Sequence, residues 1–183
     1  AFDQLKSVDR HMLYKLNAFI KSVEGHYNDF DFLNINKELN NFVVSDLSAF
    51  YLDFAKDVLY IEAEDSPARR SMQTVFYQIA VSLTKLITPI LPHTAEEIWG
   101  FLKEPEEFVQ LAEMPVVMDM DDENEVENDE HKSAWDQFMT LRSHVLKALE
   151  EARDAKLIGK AAEAHLDLYV DDETQALLDK LNV

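Results

Sequence analysis

Two adjacent arginines, Arg69 and Arg70, follow a Ser66-Pro67 step, and Lys56 and Tyr60 stand one helical turn apart just upstream. Paired guanidinium groups hold phosphates, and exposed aromatic rings stack on unpaired bases. A short turn between the segments would bring the four residues to one end of a helical bundle. The local alternative stays open: Arg69 or Arg70 would then pair with Glu64 or Asp65 inside the bundle.

Other candidate chemistry is thinner. Eight acids and no base lie between Asp119 and Glu130. Asp119, Asp121, Glu123, Glu125, Glu127 and Glu130 fall at the ligand positions of a calcium loop. However, Asn124 occupies the place where such a loop needs Gly to turn, so the stretch reads as a solvated acidic loop. His93 and Glu96 have the three-residue spacing of helical metal sites, but no second motif accompanies them. Three isolated glycines cannot build a phosphate loop, and the absence of Cys excludes thiolate sites and disulfides within the chain. No catalytic centre and no metal site are expected from these residues.

The elements that must position the basic cluster are helical. Few glycines and abundant Leu, Ala, Glu and Asp favour long helices over a many-stranded sheet. Apolar residues at steps of three and four predict a first helix over 2–27, ended near Gly25. A second runs from about Asn34 to Ile61 on the stripe Ile35, Leu39, Phe42, Val43, Leu47, Phe50, Phe54, Val58 and Ile61. Ser66 as cap and Pro67 as first residue open a third helix, which Pro89 and Pro92 end or kink. Thr94 and Glu97 form a capping-box pattern before a short helix through Trp99. Ser133 is expected to cap a helix through Trp135, Leu141 and Leu149, and Gly159 to stop the helical run beyond it. Ala164, Leu166, Leu168 and Val170 alternate with polar residues and predict one strand, which cannot stand alone. Asp172 and Gln175 open a last short helix.

The formal charge of −19 opposes polyanion binding as a whole-molecule property. Without the acidic stretch it is still about −11, so any phosphate-binding surface must be local. No apolar run is long enough for a membrane span, and Ala1-Phe2-Asp3-Gln4 has no signal-peptide pattern. The lack of a starting Met and the immediate helical pattern lead us to expect a piece of a larger protein.

Several segments carry a resemblance. YLDFAKDVLY at 51–60, ARRSMQTV at 68–75, TPILPHTAEEIW at 88–99 and LRSHVLKALEEARDAKLIGKAAEAHLDL at 141–168 are similar, in that order, to the C-terminal part of bacterial-type isoleucyl-tRNA synthetase, a class I aminoacyl-tRNA synthetase. VDRHMLYKLNAF, YNDFDF and FVVSDLSAFYLD continue the match, with His11 standing where that family commonly has Trp. Valyl- and leucyl-tRNA synthetases resemble the Leu91–Trp99 stretch, but the first two motifs favour the isoleucine enzyme.

The resemblance implies a mainly α anticodon-binding helical bundle over 1–158, containing an acidic linker at about 104–132. Residues 159–183 would then begin a small mixed α/β subdomain. It implies a cytoplasmic parent ligase that activates isoleucine with ATP and magnesium and esterifies it to its tRNA. The catalytic motifs, the editing domain and a Cys-rich zinc module would lie outside this chain. The expected partners are the anticodon stem-loop of isoleucine tRNA and the rest of the synthetase, with neither membrane nor DNA involved. By position, Lys56, Tyr60, Arg69, Arg70 and Gln73 become the leading RNA-facing residues. Asn41, Ser45 and Asp46 are weaker candidates, and Arg153, Lys156 and Lys160 would touch stem phosphates. Set against this stand an acidic all-helical module that binds a protein and, behind it, a metal-dependent helical enzyme.

Overall fold

The computed structural model describes residues 5–120 and 125–181. They fall into two compact units, Ala1–Met120 and Asp121–Val183. The architecture is helical, and no strand forms among the described residues.

In the first unit, α1 (Ser7–Asn28) is the central element. It buries Val8, Met12, Leu16, Phe19, Ile20 and Val23, residues at helical spacing, along most of its length. It packs against α2 (Phe32–Asn40), against the helical segment next to α2, and against α4 (Pro67–Ile87). Gly25 lies inside α1 and does not end it. The actual stop is at Phe30, which takes φ 56°, while the Asp31 amide reaches back to the His26 carbonyl at 2.8 Å. This is the left-handed capping arrangement that glycine usually occupies. Asp31 then starts α2, its carboxylate accepting from the Asn34 amide at 3.1 Å. These hydrogen bonds hold the Asp31 carboxyl below its ordinary value.

A single rod runs from Phe32 to Ile61, but it is not a uniform α-helix. Between α2 and α3 (Asp53–Ile61), residues Asn41–Leu52 form a wider helix with i→i+5 bonding. The junctions at Asn40, Asn41, Leu52 and Asp53 all keep right-handed helical torsions, so the rod is continuous. The wide turns shift the phase of the buried stripe. Ile35, Phe42 and Phe50 are buried as the spacing predicts, but Tyr51 and Ala55 take the core positions expected of Phe54 and Ile61. Phe19 stacks on Phe42 at 4.4 Å, and Tyr51 meets Phe76 of α4 at 5.0 Å. His11 is buried and meets the Phe50 ring in a T-shaped contact at 6.2 Å.

A buried carboxylate joins the three helices. Asp9 of α1 accepts from the Tyr51 hydroxyl on the rod and the Ser71 hydroxyl on α4, each at 2.7 Å. Burial raises the Asp9 carboxyl above its ordinary value, against the opposing pull of those two hydroxyls. Burial and the adjacent Asp9 push the Tyr51 hydroxyl upward as well. At the other end, the Tyr27 hydroxyl donates to the Leu86 carbonyl at 2.7 Å and so ties α1 to the end of α4.

Pro67 opens α4 as expected, but the Ser66 hydroxyl donates to the Glu62 carboxylate at 2.9 Å and leaves the α4 amides uncapped. The next helix, α5 (Pro92–Trp99), begins at Pro92, which places Thr94 inside the first turn and removes the expected capping box. Glu96, beside it, accepts from the Val109 amide at 3.2 Å. Ala95, Trp99 and Val109 form a small core with Val81, Ile87, Leu102 and Ala112, and the Trp99 indole donates to the Glu106 carbonyl. Lys85 lies over the Trp99 ring at 5.7 Å. Beyond a short turn at Val109–Leu111 the chain continues without regular secondary structure to Met118. There the Asn17 side-chain amide makes two bonds of 2.9 Å, one to the Met118 carbonyl and one from its N–H.

In the second unit, α6 (Glu125–Asp154) begins ahead of Ser133, which lies in its interior and not at its cap. Trp135 is buried, with Phe138 edge-on at 5.3 Å. The helix stops at Lys156, not at Gly159. Lys156 takes φ 58°, and the Leu157 amide reaches the Ala152 carbonyl at 2.9 Å. The alternating Ala164–Val170 segment forms no strand, because no second strand among the described residues supplies the ladder bonds. Asp171, one residue before the expected cap, accepts from the Thr174 amide and starts α7 (Asp172–Leu181). Lys180 pairs with Glu130 at 2.9 Å and pins α7 to α6.

Candidate nucleic-acid interface

The turn at residues 62–66 reverses the chain between α3 and α4, as the Ser66-Pro67 step suggests. It brings the end of one helix carrying Lys56 and Tyr60 to the start of another carrying Arg69, Arg70 and Gln73. The two arginines then part company. Arg69 is half-buried, and its Nη1 donates to the Glu62 carbonyl at 3.1 Å, capping the last turn of α3 across the loop. Arg70 is exposed. Neither the Glu64 nor the Asp65 pairing open at the sequence level forms among the described residues.

Lys56 is committed to Asp53 one turn earlier, at 2.6 Å, and that contact raises its ammonium above the ordinary value. Tyr60 is 85 % exposed. Among the described residues, the side chains of Tyr60, Arg70 and Gln73 make no hydrogen bond or ion pair. An aromatic ring, a guanidinium and an amide are therefore available at this end of the bundle. Their surroundings are acidic. Asp53, Asp57, Glu62, Glu64 and Asp65 outnumber Lys56, Arg69 and Arg70. Of these three cations, only Arg70 is left unpaired for a phosphate to approach.

Asn41, Ser45 and Asp46 lie on the wide segment of the rod. Asn41 and Ser45 are exposed and free of partners among the described residues, whereas Asp46 turns inward to Lys15 at 3.5 Å. Sequence spacing did not single out Lys15, which neutralises the only charge between Asn41 and Leu52. Arg153, Lys156 and Lys160 belong to the second unit. Arg153 pairs with Glu150 at 3.5 Å, Lys156 extends from its left-handed backbone, and the Gly159 and Lys160 amides both donate to Glu163.

A cleft of about 360 Å³ opens between the end of α4, α5 and the Val109–Leu111 turn, with Lys85, Thr88, Pro92 and Gln110 among its lining residues. None of the sequence-derived candidates lines it. No group of three His, Asp or Glu side chains able to hold a metal ion occurs among the described residues. None of the described helices is long and apolar enough to cross a membrane.

Residues 9–169 match the family model described as the anticodon-binding domain of tRNA ligase. Along its whole length the chain is 81 % identical to isoleucine–tRNA ligase of Levilactobacillus brevis, covering 20 % of that protein. It is 64 % identical to isoleucine–tRNA ligase of Lactiplantibacillus plantarum and 56 % identical to that of Streptococcus agalactiae, in each case covering 19 % of the relative. The chain thus spans about a fifth of the length of the curated relatives it matches.

Proposed function

The chain belongs to the anticodon-binding domain family of tRNA ligases, and on that premise we propose that it is the anticodon stem-loop-binding part of an isoleucine–tRNA ligase. The observation that carries the reading is the 81 % identity, over the whole of this chain, to part of a protein bearing that name. The free Tyr60, Arg70 and Gln73 at the α3–α4 end support it, because a stacking ring, a phosphate-binding cation and a hydrogen-bonding amide are what an unpaired RNA loop requires.

In this reading the chain does recognition and no bond-making. The bundle receives the anticodon loop, while Arg153, Lys156 and Lys160 contact stem phosphates. Arg69 serves mainly by holding α3 to α4, and Lys56 reaches RNA by exchanging Asp53 for a phosphate. The parent ligase is cytoplasmic, activates isoleucine with ATP and magnesium, and transfers it to isoleucine tRNA. Residues 1–183 do not fit those groups or zinc: they contain no Cys, and their three glycines are isolated. We place the ATP, magnesium and zinc sites in other parts of the ligase. We also assign residues 1–158 to the bundle and 159–183 to the beginning of a further subdomain.

The test is aminoacylation of an isoleucine-tRNA transcript by the full ligase, at several salt concentrations. Arg70→Ala is expected to lower kcat/KM by raising KM, and to make the dependence of log affinity on log salt shallower by about one. An unchanged KM and an unchanged slope would remove Arg70 from the interface.

A further inference from the structure

The rod presents an uncharged face on an acidic chain. From Asn40 to Leu52, exposed residues recur in pairs every four positions: Asn40 and Asn41, Val44 and Ser45, Ser48 and Ala49, then Leu52. None is charged, and Asp46, the sole ionisable group in the stretch apart from the buried Tyr51, is turned toward Lys15. The longer uncharged run Ser71–Thr84 of α4 exposes only Gln73, Thr74 and Tyr77, so the rod carries the broader uncharged surface of the two. The window coincides with the i→i+5 segment, a helical form that is rare and frequently found at functional sites.

We propose that this uncharged face is the specificity-determining surface of the interface, where amide and hydroxyl groups read the edges of unpaired RNA bases. The proposal rests on the tRNA reading above and assigns a division of labour within it. Arg70 and the lysines supply phosphate attraction, which carries no sequence information, whereas Asn and Ser side chains can discriminate bases. Asn41 brings an unused donor and acceptor, and Ser45 an unused hydroxyl. Ser48 donates to the Val43 carbonyl at 2.7 Å, so its proton is in use and its oxygen can serve only as an acceptor. Val44, 57 % exposed, offers an apolar surface between them for a base plane. Since its exposed residues include no acid, a polyanion meets less repulsion along this face than over the acidic surfaces of the chain. A seat for protein is the other use of an exposed face. Such seats share the lack of charge, but they favour aromatics, Met and Arg in their core, none of which is exposed here, and are depleted in the Ser and Ala that this face carries.

The experiment compares kcat/KM of the full ligase for an isoleucine-tRNA transcript and for transcripts with single base substitutions in the anticodon loop. The Asn41→Ala/Ser45→Ala double variant is expected to reduce discrimination between them about tenfold, with the salt slope unchanged. Ser45→Thr, which keeps the hydroxyl, should hold more of the discrimination than Ser45→Ala. A double variant that lowers both transcripts equally, or changes neither, overturns the proposal. So does a fall in the Tm of the ligase with discrimination intact, which would mark the face as a protein seat. If the unsubstituted ligase itself does not distinguish the transcripts, the anticodon reading of the chain fails, and this proposal with it.

Discussion

Replacing Tyr51 by Phe removes one oxygen from the centre of the first unit and leaves the ring in place. The contact with Phe76 at 5.0 Å survives, so the change isolates the hydroxyl that donates to Asp9 at 2.7 Å. A hydrogen bond to an ionised group is worth about 1.5–3 kcal/mol, and a buried acceptor left unmatched lies toward the upper part of that range. The effect depends on pH. Burial holds the folded Asp9 carboxyl above its unfolded value of 3.8. Between those two values the native state binds more protons than the unfolded one, so stability falls as pH rises through the window. The Tyr51 hydroxyl works against that fall by favouring the ionised carboxylate, and without it the folded value climbs and the fall deepens. The deficit of Tyr51→Phe should therefore be about 2–3 kcal/mol at pH 7–8 and about 1 kcal/mol near pH 4. Urea unfolding followed by Trp fluorescence, at high dilution because the isoelectric point near 4.5 lies inside the range, measures both ends. A deficit equal at the two ends, or larger in acid, would refute the reasoning.

Three further substitutions test other parts of the structure. Lys156→Gly relieves a left-handed residue at the end of α6, and should raise stability by about 1 kcal/mol while weakening tRNA binding and reducing its salt slope. Asn17→Ala removes both bonds to Met118, and should lower stability by about 1–3 kcal/mol and speed hydrogen exchange at the Met118 amide. Trp99→Ala empties the centre of the Ala95–Val109 cluster and should cost about 3–5 kcal/mol, read as a lowered urea midpoint.

The helical class and the order of the helices are legible in the apolar spacing, because α1 and α4 each bury a stripe of ordinary 3.6-residue period. The phase of the rod is not. A stripe extended at that period from Ile35 reaches Phe54 and Ile61, yet these are 45 % and 78 % exposed. The wide turns of Asn41–Leu52 hold more residues each and hand the core to Tyr51 and Ala55. Nothing in the local composition announces i→i+5 bonding. Helix ends misread for a related reason: Phe30 and Lys156 occupy left-handed caps that sequence reasoning reserves for Gly25 and Gly159. At the interface, the convergence of α3 and α4 is implied by Ser66-Pro67, but the separate fates of the two arginines are not. Which guanidinium turns inward depends on where the Glu62 carbonyl falls after the turn, a matter of three-dimensional register. The Asp9–Tyr51–Ser71 junction spans 62 positions in sequence, and no periodicity connects its members.

The clamp between Asn17 and Met118 sets where this domain can tolerate a change of length. A side-chain amide offers a peptide-like donor and acceptor, and Met118 is held as an edge strand would be, without any sheet. The eight residues from Leu111 to Met118 reach at most about 29 Å when extended, and both ends are fixed, Leu111 by the Val109–Leu111 turn and Met118 by α1. An insertion or deletion within this span must break the clamp or refold the segment between its two fixed ends. Acidic residues added or lost beyond Met118 leave the α1 anchor untouched. Length variation among descendants of this sequence should therefore gather on the C-terminal side of one asparagine's grip.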